Sequence, residues 1–173
     1  AVAAPRLKTY ASFIKLEHTI FSLPLIFSGT LLHTYGWPRM TLVMWILLAA
    51  IGGRVMAMGL NRILDAELDA RNPRTRRREL PRGVMAPWEA WIIVAGAGFL
   101  YAASAAAIAP ICLALSPIPV ALFVGYPYLK RFTALSHLGL GVAWSMAPLG
   151  GWLAAAATSS YAAVLSGVEW TAS

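Results

Sequence analysis

Long runs of apolar residues, interrupted by short polar breaks, limit what this chain can fold into more than any other feature of its sequence. A helix needs about 20 apolar residues to cross the hydrocarbon core of a bilayer. Because lipid offers no hydrogen bonds to the backbone, such segments form helices unless they close into a barrel. The sequence therefore predicts an all-α fold, a polytopic membrane helix bundle in a single membrane domain over residues 1–173. The predicted transmembrane spans are about 13–33, 41–69, 88–108, 111–129 and 135–157.

The composition excludes an ordinary soluble domain. Hydrophobic residues make up 59% of the 173 residues and charged residues only 12%, whereas soluble domains carry about 25% charged residues. The net charge of +7 would suit nucleic acid, but the basic residues stand between apolar runs, where they act as topology signals. The lipid bilayer is therefore the expected partner, and nucleic acid is not. Cys112 is the single cysteine, so no disulfide forms within the chain.

The basic residues also predict an orientation in the membrane. Five spans place three basic groups on one side and leave only Arg39 on the other. By the positive-inside rule the strongly basic side is cytoplasmic. We therefore expect a multi-pass protein of a bacterial-type inner membrane, with its amino terminus and basic loops in the cytoplasm. The three groups are Arg6, Lys8 and Lys15; Arg71, Arg74, Arg76, Arg77, Arg78 and Arg82; and Lys130 and Arg131.

The most informative polar residues lie at the end of the second predicted span. Asn61, Asp65 and Asp69 follow one another at intervals of four residues. At about 100° per residue, these intervals place all three side chains on one face of a helix. Glu67 points to another side. Arg54 lies seven residues before Asn61, so it belongs to the same face about two turns deeper in the span.

This polar face has two interpretations. Carboxylate and amide oxygens suit a hard cation such as Mg²⁺, which is usually held by one or two carboxylates together with substrate phosphates. Asn61, Asp65 and Asp69 would then form half of a site for a metal-bound diphosphate. Alternatively, the two aspartates only end the helix at the membrane interface, where they pair with Arg62 or with loop arginines. Arg54 favours the functional interpretation, because a charge inside a span is costly and usually functional.

Three motifs, in matching order and spacing, resemble the UbiA family of intramembrane aromatic prenyltransferases. In this chain they are Arg54 with the NRILDAELD segment of residues 61–69, the TRRRELPRG loop of residues 75–83, and the YPYLKRFT segment of residues 126–133. The family counterparts are an aspartate-rich N-x-x-x-D-x-x-x-D motif, a loop that often reads T-x-x-R-P-L-P-x-G, and a Y-P-x-x-K-R-x-T segment. The resemblance, which is to enzymes of the 4-hydroxybenzoate polyprenyltransferase type, covers roughly residues 10–153.

The resemblance implies an activity and a set of site residues. UbiA enzymes transfer a polyprenyl group from its diphosphate to an aromatic acceptor, and Mg²⁺ and the diphosphate are held by two aspartate-rich motifs. This chain is accordingly expected to act on a hydroxybenzoate or hydroxynaphthoate in ubiquinone or menaquinone biosynthesis, although porphyrin prenylation within the same superfamily also fits. It is expected to supply about five helices of a larger UbiA-type bundle. The implied metal ligands are Asn61, Asp65 and Asp69, and the two aspartates are the implied catalytic residues. The implied substrate-binding residues are Lys15, Arg54, Arg78, Tyr126, Lys130 and Arg131.

Three features depart from the family pattern. After Glu89 the only acidic residue is Glu169, so the second aspartate-rich motif is absent. The chain also begins with Ala1, and we expect it to be the amino-terminal part of a longer enzyme and inactive alone. Glu79 replaces a frequent proline, and Lys15 replaces a frequent arginine, whose planar fork a lysine does not have. The alternative function is that of a non-catalytic membrane protein, such as a transporter fragment or a lipid-binding subunit.

Overall fold

The computed structural model describes residues 6–14, 17–132 and 136–166. In these ranges all regular structure is helical, which confirms the predicted all-α fold. The helices are α1 (Arg6–Ile14), α2 (Glu17–Thr34), α3 (Met40–Leu64), α4 (Ala66–Arg71), α5 (Pro87–Ile108), α6 (Pro110–Leu115), α7 (Pro117–Phe132) and α8 (Ser136–Ser166).

Three stretches of helix are long and apolar enough to cross a membrane within the described residues. They are α3, α5 and residues 137–159 of α8, and they correspond to the second, third and fifth predicted spans. The first predicted span begins in α1 and continues through α2. The fourth is not one continuous helix, because Ser116 separates α6 from α7. Pro117 has no backbone N–H to donate to the preceding turn, which interrupts the hydrogen-bond ladder there.

The packing of α3 against α5 forms the centre of the described fold. The two helices approach closely at glycines, since a Cβ atom on Gly52 would lie 2.8 Å from the backbone oxygen of Ala97. Gly59 makes a similar close approach to Val94 nearer the end of α3. Small residues permit such contacts between helices in a membrane. The buried residues of this core are Val55, Met56, Leu60, Val94 and Ala97.

A second close contact joins α2 to α8. The Thr30 hydroxyl is fully buried and donates a hydrogen bond to the backbone oxygen of Gly151 at 3.1 Å. Gly29 faces the backbone of Pro148 so closely that a Cβ atom at Gly29 would overlap it. These two helix pairs, together with α6 and α7, surround the cavity described below.

Candidate functional site

The two aspartates of the predicted polar face are buried at the end of α3. This helix ends at Leu64 and α4 begins at Ala66, so Asp65 stands between two helices. The Asp65 N–H nevertheless donates to the Asn61 backbone oxygen at 3.0 Å, and the Asp69 N–H donates to the Asp65 oxygen at 2.8 Å. The four-residue register that a shared face requires is therefore kept through the break. Asp65 is 3% exposed and Asp69 is 8% exposed.

The loop that follows α4, residues 72–86, closes over Asp69. Nη1 of Arg78 donates to Oδ2 of Asp69 at 2.6 Å. The Thr75 hydroxyl donates to the backbone oxygen of Asp69 at 3.2 Å, whereas Arg76 and Arg77 are exposed. The alternative interpretation of the polar face expects the aspartates to pair with Arg62 or with loop arginines. Asp69 does pair with a loop arginine, Arg78. The same contact places Arg78, an expected substrate-binding residue, beside an expected metal ligand.

A second ion pair, which the sequence did not predict, joins Arg62 to Glu79. Nη1 of Arg62 donates to Oε2 of Glu79 at 2.5 Å, and Arg62 is 7% exposed. The guanidinium carbon of Arg62 also lies 5.3 Å from the centre of the Phe13 ring. From the sequence, Arg62 is expected only as a partner for the aspartates, and Glu79 is noted only where a proline is frequent. The signal that would have found this pair was that Glu79 is the sole acidic residue of an otherwise basic loop.

Glu79 and Glu89 hold α1 onto this end of the molecule. The Ser12 hydroxyl donates to Oε1 of Glu79 at 2.6 Å, and the Tyr10 hydroxyl donates to Oε1 of Glu89 at 2.9 Å. Burial by itself would raise the pKa of Glu79, but hydrogen bonds from Ser12 and from its own backbone, together with the charge of Arg62, outweigh burial and lower the pKa below 4.5. Glu79 is therefore ionised at neutral pH, and its contact with Arg62 is a charged one.

A cavity of about 890 Å³ lies between the helices and reaches this cluster of charges. Its polar end is formed by Arg54, Asn61, Arg62 and Arg78. Among the described residues, the two aspartates do not line the cavity themselves, but Arg78 connects Asp69 to its wall. Most of the remaining wall is apolar and includes Ile26, Ala50, Tyr101, Ile108, Phe123, Trp144 and Met146.

Arg54 is a charged residue placed well inside α3. Its Nε atom is buried and has no hydrogen-bond partner within the described part of the chain. Its guanidinium carbon lies 5.6 Å from the centre of the Trp144 ring, an arrangement stabilised by cation–π attraction. Arg54 and Asn61 line the same cavity, as the predicted common face requires. A guanidinium with an unused donor beside a cavity is suited to binding an anionic group.

The oxygen donors near the end of α3 fit a divalent metal when a substrate completes the coordination. In residues 6–14, 17–132 and 136–166, no cluster of three or more His, Cys, Asp or Glu side chains is placed to hold a metal ion. Asp65 and Asp69 are buried carboxylates one turn apart, and the Asn61 amide adds a third hard oxygen. Mg²⁺ is commonly held by one or two carboxylates plus water and substrate phosphates. The residues present therefore suit a Mg²⁺ ion that is shared with a diphosphate.

Four of the expected substrate-binding side chains lie outside the described residues. Lys15 falls in the gap between α1 and α2. Helix α7 includes Tyr126, Lys130 and Arg131, but the structure describes only their backbone and not their side chains. Their expected roles stay predictions.

Comparisons with known proteins point to one family. The sequence pattern described as the UbiA prenyltransferase family matches residues 22–172. The chain is 28% identical over 143 residues to the 4-hydroxybenzoate octaprenyltransferase of Shewanella denitrificans, covering 81% of this chain and 49% of that protein. It is 40% identical over 134 residues to the protoheme IX farnesyltransferase of Aeropyrum pernix, covering 74% of this chain and 42% of that protein. The chain thus spans about half the length of the curated relatives it matches.

A solved structure has the same fold. It is the apo structure of a UbiA homolog from Aeropyrum pernix K1, which is 39% identical and superimposes with a TM-score of 0.78. The match covers 89% of this chain and 56% of that one. The arrangement of helices around the cavity is therefore shared with a larger helical bundle.

Proposed function

This chain belongs to the UbiA prenyltransferase family, and from that premise we propose that it takes part in transferring a polyprenyl group from its diphosphate to an aromatic acceptor, with Mg²⁺ as cofactor. It is an integral membrane protein, in keeping with its apolar helices. The observation that carries the proposal is the pair of buried aspartates, Asp65 and Asp69, beside the polar end of a large apolar cavity.

The cavity has the chemistry that an amphiphilic substrate requires. A prenyl diphosphate has a hydrocarbon chain at one end and about three negative charges at the other. The apolar wall between α2, α3, α5 and α8 suits the chain, and the end that carries Arg54 and Arg78 suits the diphosphate. A volume of about 890 Å³ lies within the range of roughly 300–1,000 Å³ that is typical of small-molecule sites. A water-poor cavity would also protect the allylic cation that forms when the diphosphate leaves.

The polar residues near this end of the cavity would have two separate roles, metal binding and diphosphate binding. Asn61, Asp65 and Asp69 would hold Mg²⁺, which when bound neutralises the charge that develops on the departing diphosphate. Arg78 and Arg54 would donate charge-assisted hydrogen bonds to the diphosphate oxygens. For Arg78 this means exchanging its present partner, the Asp69 carboxylate, for the substrate.

The remaining roles rest on the family resemblance. Lys130 and Arg131 would add positive charge for the diphosphate, Tyr126 would face the allylic cation with its ring, and Lys15 would hold the carboxylate of the acceptor. A hydroxybenzoate or hydroxynaphthoate acceptor in quinone biosynthesis is the proposed substrate. The basic loops, and with them the diphosphate site, would face the cytoplasm of a bacterial-type inner membrane.

The test compares Asp65→Asn with Glu67→Gln in the full-length protein in membranes. Both variants replace a carboxylate with an amide, but Asp65 is buried, whereas Glu67 is exposed and pairs with exposed Arg71. Removing an outer partner of a metal ligand already lowers metal affinity or activity by about 10–100-fold, so Asp65→Asn should reduce prenyl transfer by at least that factor. Glu67→Gln should transfer at the wild-type rate. Near-normal transfer by Asp65→Asn, with normal membrane insertion, would remove Asp65 from the mechanism.

The acceptor is tested with the same membranes. Prenyl diphosphate and Mg²⁺ are supplied with a hydroxybenzoate, a hydroxynaphthoate or a porphyrin in parallel. Prenylation of one of the single-ring or fused-ring acids supports the proposed acceptor class. Prenylation of the porphyrin alone would contradict it.

A further inference from the structure

The charged groups at the end of α3 form two ion pairs side by side. Arg62 pairs with Glu79, and Arg78 pairs with Asp69. Arg62 is also close enough to Asp69 and to Arg78 to interact with both electrostatically, attracting the first and repelling the second. Each of these two arginines thus has its own carboxylate partner, and the two pairs lie close together.

Glu79 is held so that its carboxylate stays on Arg62. One oxygen accepts the Ser12 hydroxyl and the other accepts the Arg62 guanidinium. The backbone oxygen of Glu79 accepts the Val84 N–H at 3.1 Å, which closes the loop around this residue. The ring of Phe13, which is 1% exposed, also lies against the Arg62 guanidinium. Arg62 is therefore fixed by groups from α1 and from the loop.

The consequence of losing Glu79 follows from the cost of a buried charge. A guanidinium at 7% residue exposure is strongly disfavoured without an anionic partner. Asp69 is a second carboxylate that attracts Arg62 electrostatically. Without Glu79, Arg62 would be drawn toward Asp69, which already pairs with Arg78. The Asp69 carboxylate would then be less available to a metal ion.

We propose that Glu79 is a positioning residue that holds Arg62 away from Asp69 and so keeps Asp69 available to the metal. The proposal rests on the proposed function of Asp69 as a metal ligand. Glu79 stands where the family pattern often has proline, so this role is not implied by the resemblance. Glu79 would thus control the affinity of the site for the metal by holding Arg62 in place.

The experiment measures binding of a non-hydrolysable prenyl diphosphate analogue to the full-length protein in lipid nanodiscs as Mg²⁺ is titrated. Glu79→Gln should raise the Mg²⁺ concentration for half-maximal binding by about 10-fold or more, as expected when a partner that orients a metal site is lost. Binding of the same analogue without Mg²⁺ should be unchanged or tighter, because the site loses one negative charge. Glu67→Gln is the matched control and should leave both quantities at their wild-type values, since its partner Arg71 is exposed.

A double variant distinguishes a role of Glu79 in positioning Arg62 from a general role in stabilising the loop. In Glu79→Gln/Arg62→Met the competing guanidinium is gone, so the Mg²⁺ requirement should return to near the wild-type value. A loop that had simply lost its shape would not be restored by removing Arg62. If Glu79→Gln does not accumulate in membranes, Glu79→Asp takes its place, because the shorter carboxylate does not reach Ser12 and Arg62 as Glu79 does. The same rise in the Mg²⁺ requirement, and the same return when Arg62→Met is added, are then expected.

The outcomes distinguish this proposal from the proposed function. If the wild-type protein binds the analogue without any dependence on Mg²⁺, the proposed function fails. If the wild-type protein depends on Mg²⁺ but Glu79→Gln has the same half-maximal concentration, only the role of Glu79 fails. A shift in Glu79→Gln that persists in the double variant also overturns it.

Discussion

Replacing Gly52 with alanine tests the close packing of α3 on α5, the helix pair that supports the site. The added Cβ atom would lie 2.8 Å from the backbone oxygen of Ala97 and from the backbone nitrogen of Tyr101. Ordinary contact begins at 3.4 Å, so the helices would have to separate locally by about 0.6 Å (3.4 − 2.8). The opposing atoms are backbone and cannot rotate aside. Overpacking of this kind costs about 1–3 kcal/mol.

A matched variant isolates that cost. Alanine is favoured over glycine inside a helix by about 1 kcal/mol, which would partly mask the overpacking at Gly52. Gly96 on α5 is the control, because a Cβ atom there would meet no atom within 4 Å. Subtracting one variant from the other cancels helix propensity and leaves a difference of about 1–3 kcal/mol in the free energy of unfolding.

The assay is reversible unfolding of the reconstituted full-length protein by a denaturing detergent. Gly52→Ala should unfold more easily than Gly96→Ala. It should also bind a prenyl diphosphate analogue more weakly, since Tyr101 lines the cavity. Equal unfolding free energies for the two variants would refute the close α3–α5 contact.

Three further predictions concern topology, pH and the docking of α1. Single cysteines at Thr75 and Tyr35 should react with impermeant reagents from opposite faces of the membrane, with Thr75 on the cytoplasmic face. The two positions lie beyond opposite ends of the 25-residue α3, which rises about 1.5 Å per residue and so crosses the bilayer. Labelling of both from one face would contradict this orientation. Since the folded pKa of Glu79 is lowered, its stabilising effect is complete above about pH 4.5 and is lost as the pH falls through the folded pKa. The difference in unfolding free energy between wild type and Glu79→Gln should therefore shrink below that pH, and a constant difference would count against the ion pair. Phe13→Ala should lower the free energy of unfolding by about 3–5 kcal/mol, because Phe13 is 1% exposed. Phe99→Ala, at a residue that is 77% exposed, should change it by no more than about 0.5 kcal/mol, and equal effects would show that α1 is not docked.

The spans and the register of the polar face could be read from the sequence because both depend on local properties. Apolar run length determines whether a helix can cross a bilayer, and the helical repeat brings residues four apart together. Arg54 and Asn61 accordingly line one cavity, and hydrogen bonds between backbone groups carry the register from Asn61 through Asp65 to Asp69. The fourth predicted span contains two helices, α6 and α7, and Pro117 is the local signal for the break between them.

The partners of the charged residues were decided only by the tertiary structure. Glu79 meets Arg62 across 17 residues and Ser12 across 67 residues, and Arg54 meets the ring of Trp144 on another helix. Such contacts depend on how the loop after α4 and the helix α1 fold back onto α3, which no local pattern specifies. The sequence by itself therefore determined which residues share a helix face, because helix geometry is local. The folded chain determined which arginine each buried carboxylate holds, because a buried charge takes the partner that tertiary packing brings within reach.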